Sequence, residues 1–420
     1  MNKSRRELWG WCLFDVANSS YTTLIITVAY GVIFSKLIVG PDADGSFRLG
    51  NALWAWALSI SWGIVAVAGP ILGGLSDRQA IRKKLLAGSV ILCVVASFLL
   101  KYCGPGEVWP ALFLVCISNI GYALSENFIA AFLPHVVSKQ ETGRISGLSW
   151  GIGYLGGLVS VILAQVLTGL DYRLENWDRL SRIGPIVAVF FALASLPSLL
   201  WLKEPRAEAR SGQDLKVLAE IFAALKSSSV LAKVLLSCFF FQGGVAIVIS
   251  FTALYAEQEM RLAGSMQAVL FLSLQISAAL GAFFFGWLQS HWQPLRVLNA
   301  TLYLWMVALV GIALVKPVFG TEGAGPWVFL ALANFAGLGL GATQSCGRVL
   351  VALTSSEEES GTHFGLWGMS VKLAQVVSLV LFGTVQMFFP IQQAMLMCIV
   401  FFAVPLIVHR YIDPKHFSVS

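Results

Sequence analysis

Charge is what this sequence has least of. Asp, Glu, Lys and Arg together make up 12% of its 420 residues, about half the share of a soluble domain. That excludes a water-exposed surface over most of the chain. The seven cysteines show no pairing or ligand spacing. Cys12, Cys93, Cys116, Cys238, Cys346 and Cys398 fall inside apolar runs, and Cys103 alone lies near a loop, so they read as small buried hydrophobes. The chain has no paired His/Asp cluster for a metal, no phosphate-cradling loop and no nucleophile motif. An enzyme, a bound metal and a cofactor are therefore not expected. The alternating ten-residue strands of a membrane β-barrel are missing as well.

Apolar residues make up 57% of the chain, and its mean hydropathy is +0.77. Runs of roughly 20 apolar residues recur from end to end, each long enough to cross a bilayer as a helix. Twelve spans are predicted, at 9–39, 50–76, 84–102, 109–133, 145–170, 183–202, 231–256, 266–289, 296–315, 326–353, 363–388 and 392–409. The start, "MNKSRRELWGWCLF", is basic, but no small-residue cleavage site follows it. The first span contains Asp15 and reads as a retained helix.

An even number of spans puts both termini on one side. Lys3, Arg5 and Arg6 precede span 1. Arg78, Arg82, Lys83 and Lys84 follow span 2, and Lys203, Arg206, Arg210, Lys216, Lys226 and Lys233 occupy the longest loop. All fall on the same side, which the positive-inside rule makes cytoplasmic. The net charge of +6 is explained by this bias, so no nucleic-acid partner is expected.

The longest loop divides the chain into a six-span half at 1–202, a linker at 203–230 and a second six-span half at 231–420. In the linker, Leu215, Leu218, Phe222 and Leu225 recur at helical spacing beside Lys216 and Lys226. That pattern fits an amphipathic helix on the inner leaflet, or a plain helical tether.

Twelve spans in two sixes is the layout of a major facilitator superfamily transporter. "GPILGGLSDRQAIRKK" (69–84) resembles that superfamily's signature between spans 2 and 3. The resemblance gives Asp77 and Arg78 a gating role, with Asp77 set against the N-terminus of span 11 near Gly361–Phe364. A carboxylate is favoured at a helix's positive end. The match departs at Ala80 and Ile81. In the corresponding turn of the second half, "GWLQSHWQPLR", Ser290 stands where an acid is expected.

"WGWCLFDVANSSY" (9–21), "RISGLSWGIGYLGG" (144–157), "GATQSCGR" (341–348) and "HFGLWGMSVK" (363–372) resemble spans 1, 5, 10 and 11 of the autophagy-related vacuolar amino-acid effluxers and their bacterial relatives. The resemblance implies efflux of neutral amino acids, in that family from a vacuole; this chain is expected to be a monomer in a bacterial inner membrane. That family tends to carry an Asp-Gly pair in span 7. This chain has "FFFQGGVAIV", with Gly243 at the acid's place and Gln242 before it as the polar candidate.

Five ionisable residues sit at or near membrane depth: Asp15, Glu126, Glu257, Arg348 and Lys372. Glu257 ends span 7 and is expected to reach water. The other four lie roughly 8–12 Å from the inner edge of their spans at 1.5 Å per residue. Left facing lipid, each costs at least about 2.5 kcal/mol. Trp11, Asp15, Asn18 and Thr22 share a face of span 1; Asn119, Tyr122 and Glu126 share one of span 4; Gln344 and Arg348 lie one turn apart.

Two functional readings follow. The acids take the ammonium of a zwitterion while Arg348 or Lys372 takes its carboxylate, or the charges pair across the halves and close the cytoplasmic gate. Proton coupling through Glu126 or Asp15 fits both. The structural alternative is a fixed pair within one half, such as Glu126 with Arg144. In span 5, Gly151, Gly153, Gly156 and Gly157 present a surface that a neighbour can approach and slide against. Trp150 and Tyr154 line a cavity there or simply pack. A larger amphipath, such as a siderophore, muropeptide or drug, is the alternative solute.

Overall fold

The computed structural model describes residues 5–79, 81–130, 132, 136, 142–204, 229–262, 264–289, 292–354 and 360–413. Among these, twelve helices are long and apolar enough to cross a membrane. They are α1 (Arg5–Val39), α2 (Arg48–Gln79), α3 (Arg82–Leu99), α4 (Val108–Ala130), α5 (Thr142–Thr168) and α6 (Ile183–Trp201), then α7 (Ser229–Gln258), α8 (Gly264–Leu288), α9 (Pro294–Phe319), α10 (Gly325–Leu353), α11 (Ser360–Gln386) and α12 (Ile391–His409). Their ends lie within about four residues of the sequence-based spans. In hydrocarbon every backbone N–H and C=O must find its partner inside its own segment, and these sequences satisfy that as helices. The proposed amphipathic stretch at 215–225 lies outside the described residues.

The helices form two compact units. The first holds α1–α6, the last turns of α7 (Ser250–Glu257) and the start of α8 through Phe271. The second holds the remainder of α7 and α8 with α9–α12.

In the first unit, small residues let backbones meet. A Cβ on Gly121 of α4 would lie 2.6 Å from the Cys93 nitrogen of α3. On α5, Gly153 lies against Asp15 and Ser19, and Gly156 against Val16. Only part of the expected glycine surface is used, since Gly151 has open space over it. The neighbour that approaches Gly153 and Gly156 is α1 of the same unit. Hydrogen bonds fasten α1 to α6 and to α4. Ser198 Oγ donates to the Gly10 carbonyl at 2.5 Å, and Trp11 Nε1 donates to the Ile129 carbonyl at 2.8 Å.

Helix α1 is not uniform. Thr22–Val28 and Ile33–Val39 are π-helical. The first of these reads TTLIITV, and its β-branched side chains lower the preference for a tight α turn. Thr27 Oγ1 bonds back to the Thr22 carbonyl at 2.9 Å, filling the wider turn.

In the second unit, Trp305 of α9 stacks on Phe402 of α12 with ring centroids 5.0 Å apart. Near the α7 start, Ser237 Oγ lies 2.7 Å from His409 Nε2. His409 Nδ1 lies 2.5 Å from Asn299 Oδ1. The Asn oxygen only accepts, so Nδ1 carries the proton and the Ser237 hydroxyl donates to Nε2.

Candidate functional site

The polar interior of the first unit is built from α1, α2, α4 and α5. Asp15 is half-buried on α1. Ser149 of α5 donates to its Oδ2 at 2.5 Å, and the same hydroxyl lies 3.4 Å from the Cys12 carbonyl. Gly153 lies one turn further along α5, so the two backbones run close together there. One turn along α1, Asn18 is buried, and its Oδ1 has no hydrogen-bond partner. A buried carbonyl oxygen in that state costs about 1–3 kcal/mol until a donor meets it.

Helix α4 faces this group. Asn119 Nδ2 donates to Ser61 Oγ of α2 at 2.6 Å, and its own Oδ1 also lacks a partner. Tyr122 stacks on Tyr21 with centroids 4.8 Å apart and meets Trp62 edge-on at 6.2 Å. Tyr21 shares a hydrogen bond with Ser118 at 2.8 Å. Glu126, half-buried, lies one turn beyond Tyr122. Tyr122 is within electrostatic range of both Glu126 and Asp15. The first unit thus collects two carboxylates, two buried amide oxygens without donors and a set of aromatic faces. Such a group suits a ligand that donates hydrogen bonds or carries positive charge. Tyr154 is half-buried, with its ring centroid 5.9 Å from that of the partly exposed Trp150.

In the second unit, Gln242 is buried on α7, and Lys372 is half-buried on α11. Gly368, one turn before Lys372, has open space over it. The side chains of Asp77, Arg78, Arg144, Gln344 and Arg348 lie outside the described residues.

Glu257 does more than reach water at the end of α7. Its side chain is 11% exposed and forms an ion pair with Lys36 of α1. Gln267 Nε2 of α8 donates to its other oxygen at 2.7 Å. Beside it, Tyr172 donates to the Val28 carbonyl at 3.1 Å. Burial, then the charge of Glu257, hold the Tyr172 phenol well above its usual range, so it keeps its proton. Sequence reasoning missed Lys36 because its partner is 221 residues away. It missed Ser149 because a serine in an apolar run has no periodic signature. An acid one turn from a buried amide on α1 was the signal that pointed to the right helix face.

The twelve-helix fold and the family and relatives it matches make this a secondary transporter of the major facilitator type, an integral multi-pass membrane protein. A family model described as "Vacuole effluxer Atg22 like" matches residues 50–417. The chain belongs to that family. It is 23% identical to the "Uncharacterized MFS-type transporter YxiO" of Bacillus subtilis (strain 168), over 99% of this chain and 96% of that protein. It is 25% identical to the "Multidrug resistance protein MdtG" of Rahnella sp. (strain Y9602), over 61% of this chain and 60% of that protein. Among solved structures, a D-xylose-proton symporter superposes with a TM-score of 0.75 at 12% identity, covering 99% of both chains.

Proposed function

We propose that this transporter moves neutral amino acids or similar small zwitterions by alternating access, with proton coupling. The observation that carries this is the pairing on α1: Asn18 Oδ1 is buried without a donor one turn from the Asp15 carboxylate. An ammonium group satisfies both at once, with three N–H donors and a positive charge. Glu126 and the Tyr122 ring extend the same acceptor surface. Tyr154 and Gln242 are candidate contacts for the rest of the solute. Lys372 and Arg348 are assigned its carboxylate on charge alone, as Asp77, Arg78 and Arg144 are assigned gating roles. The protein is read as a monomer in a bacterial inner membrane with cytoplasmic termini, on the loop charges.

A thermal-shift screen of the purified protein tests the substrate class. Neutral amino acids are expected to raise the midpoint, and their N-acetyl derivatives, which lack the ammonium, are not. Stabilisation by lipophilic drugs with no response to any amino acid would favour the second reading, an exporter of larger amphipaths. The curated relatives named as multidrug resistance proteins support that reading.

A further inference from the structure

We infer that Lys36, Glu257 and Gln267 form a gate at the end of the bundle opposite the termini. This rests on transport by alternating access, which requires that end to open. Glu257 accepts from Lys36 of α1 and from Gln267 of α8, so three helices from both halves of the sequence meet at one carboxylate.

The position of the cluster identifies its role. Helices α7 and α8 each pass from one unit to the other. Only Ser250–Glu257 and the α8 residues through Phe271 belong to the first unit. Glu257 and Gln267 therefore lie on the two short segments of the second half of the sequence that pack with α1 in the first unit, and in the proposed gate these segments part from α1. Beside it the α8 start lies close on the turn after α5: a Cβ on Gly264 would overlap the Leu170 carbonyl.

The chemistry suits a reversible lock. A partly buried ion pair adds little net stability over an apolar contact, because both charges give up hydration. Both recover it when the contact opens, so the pair closes the end without fastening it permanently. The side chains of Lys36 and Glu257 are 30% and 11% exposed, which leaves a route for water on the lysine side. When Lys36 withdraws, Glu257 keeps Gln267, and the carboxylate is never stranded. Lys36 itself rides on the π-helical Ile33–Val39, a winding found frequently at functional sites.

The test uses the full chain in nanodiscs, spin-labelled at Ala43→Cys in the α1–α2 loop and Glu322→Cys in the α9–α10 loop, both exposed and both on the side opposite the termini by the expected topology. Six native cysteines are buried and Cys116 is half-buried, so labelling falls on the new sites. Pulsed dipolar spectroscopy reads the distance distribution. Lys36→Ala and Glu257→Gln are each expected to raise the longer-distance population roughly fivefold or more. The exchange Lys36→Glu with Glu257→Lys is expected to return it toward the parent. Size-exclusion profiles confirm that each variant is folded. Unchanged distributions in both folded single variants, alongside two populations in the parent, would overturn the gate. One population in every protein, with or without solute, would overturn alternating access itself.

Discussion

The ring of Phe401 occupies the space over Gly243. A Cβ placed on that glycine would lie 2.7 Å from the ring, and Gly244 is covered in the same way by Phe402. Residue 243 is where the family pattern tends to place an acid. Here the Phe401 ring of α12 and the Ser378 Cβ of α11 close over the position, so any side chain there must push the ring aside. Gly243→Asp therefore combines overpacking with an unpaired buried charge and is expected to destabilise by about 3 kcal/mol or more. Gly243→Ala should cost about 1–3 kcal/mol from crowding alone. Thermal unfolding in detergent checks the order. A Gly243→Asp protein as stable as the parent would show that the two helices are free to separate.

Because residue 243 is a glycine, the proposed proton site falls to the carboxylates of the first unit. Glu126→Gln is expected to abolish pH-driven accumulation in liposomes while solute exchange continues. The two assays run side by side on one preparation. Unchanged pH dependence would remove Glu126 from the coupling step.

Ser149 positions Asp15. Ser149→Ala removes a hydrogen bond to a charged group, worth about 1.5–3 kcal/mol. Solute affinity should fall by about tenfold or more, with expression intact. Ser149→Thr keeps the hydroxyl and should retain most of the affinity. Isothermal titration with the best solute from the thermal-shift screen separates the two. Equal affinities for Ala and Thr would mean that Asp15 is held by something else.

His409 joins three helices of the second unit through Ser237 and Asn299. His409→Ala leaves Ser237 buried and Asn299 half-buried without their partner and should cost about 1–3 kcal/mol. It should lower the unfolding midpoint without changing proton coupling. A variant with normal stability and altered coupling would move His409 into the transport pathway.

The fold was legible because its cause is local. Each span announces itself by an apolar run, and a bilayer allows such a run no other backbone solution. The α1 and α4 faces were legible too, since Asp15, Asn18, Tyr122 and Glu126 recur at helical spacing in apolar surroundings. What was not legible depends on partners distant in sequence. Lys36 pairs with Glu257 across 221 residues, so each looked like an ordinary charge at a span's end. The fit of Gly243 beneath Phe401 is a fact about two helices, and from α7 alone the glycine showed only as a missing acid. The π-helical turns of α1 arise from packing together with β-branching, and the one-dimensional pattern carries only the second.

The central claim is that Asp15 and Asn18 receive a solute's ammonium group. Counterflow of a labelled neutral amino acid in proteoliposomes, competed by the unlabelled amino acid or by its N-acetyl derivative, tests it most directly. The parent should be competed by the amino acid alone, and Asp15→Asn with Asn18→Leu should lose counterflow while remaining folded. Equal competition by the N-acetyl compound, or full counterflow in that double variant, would contradict the account.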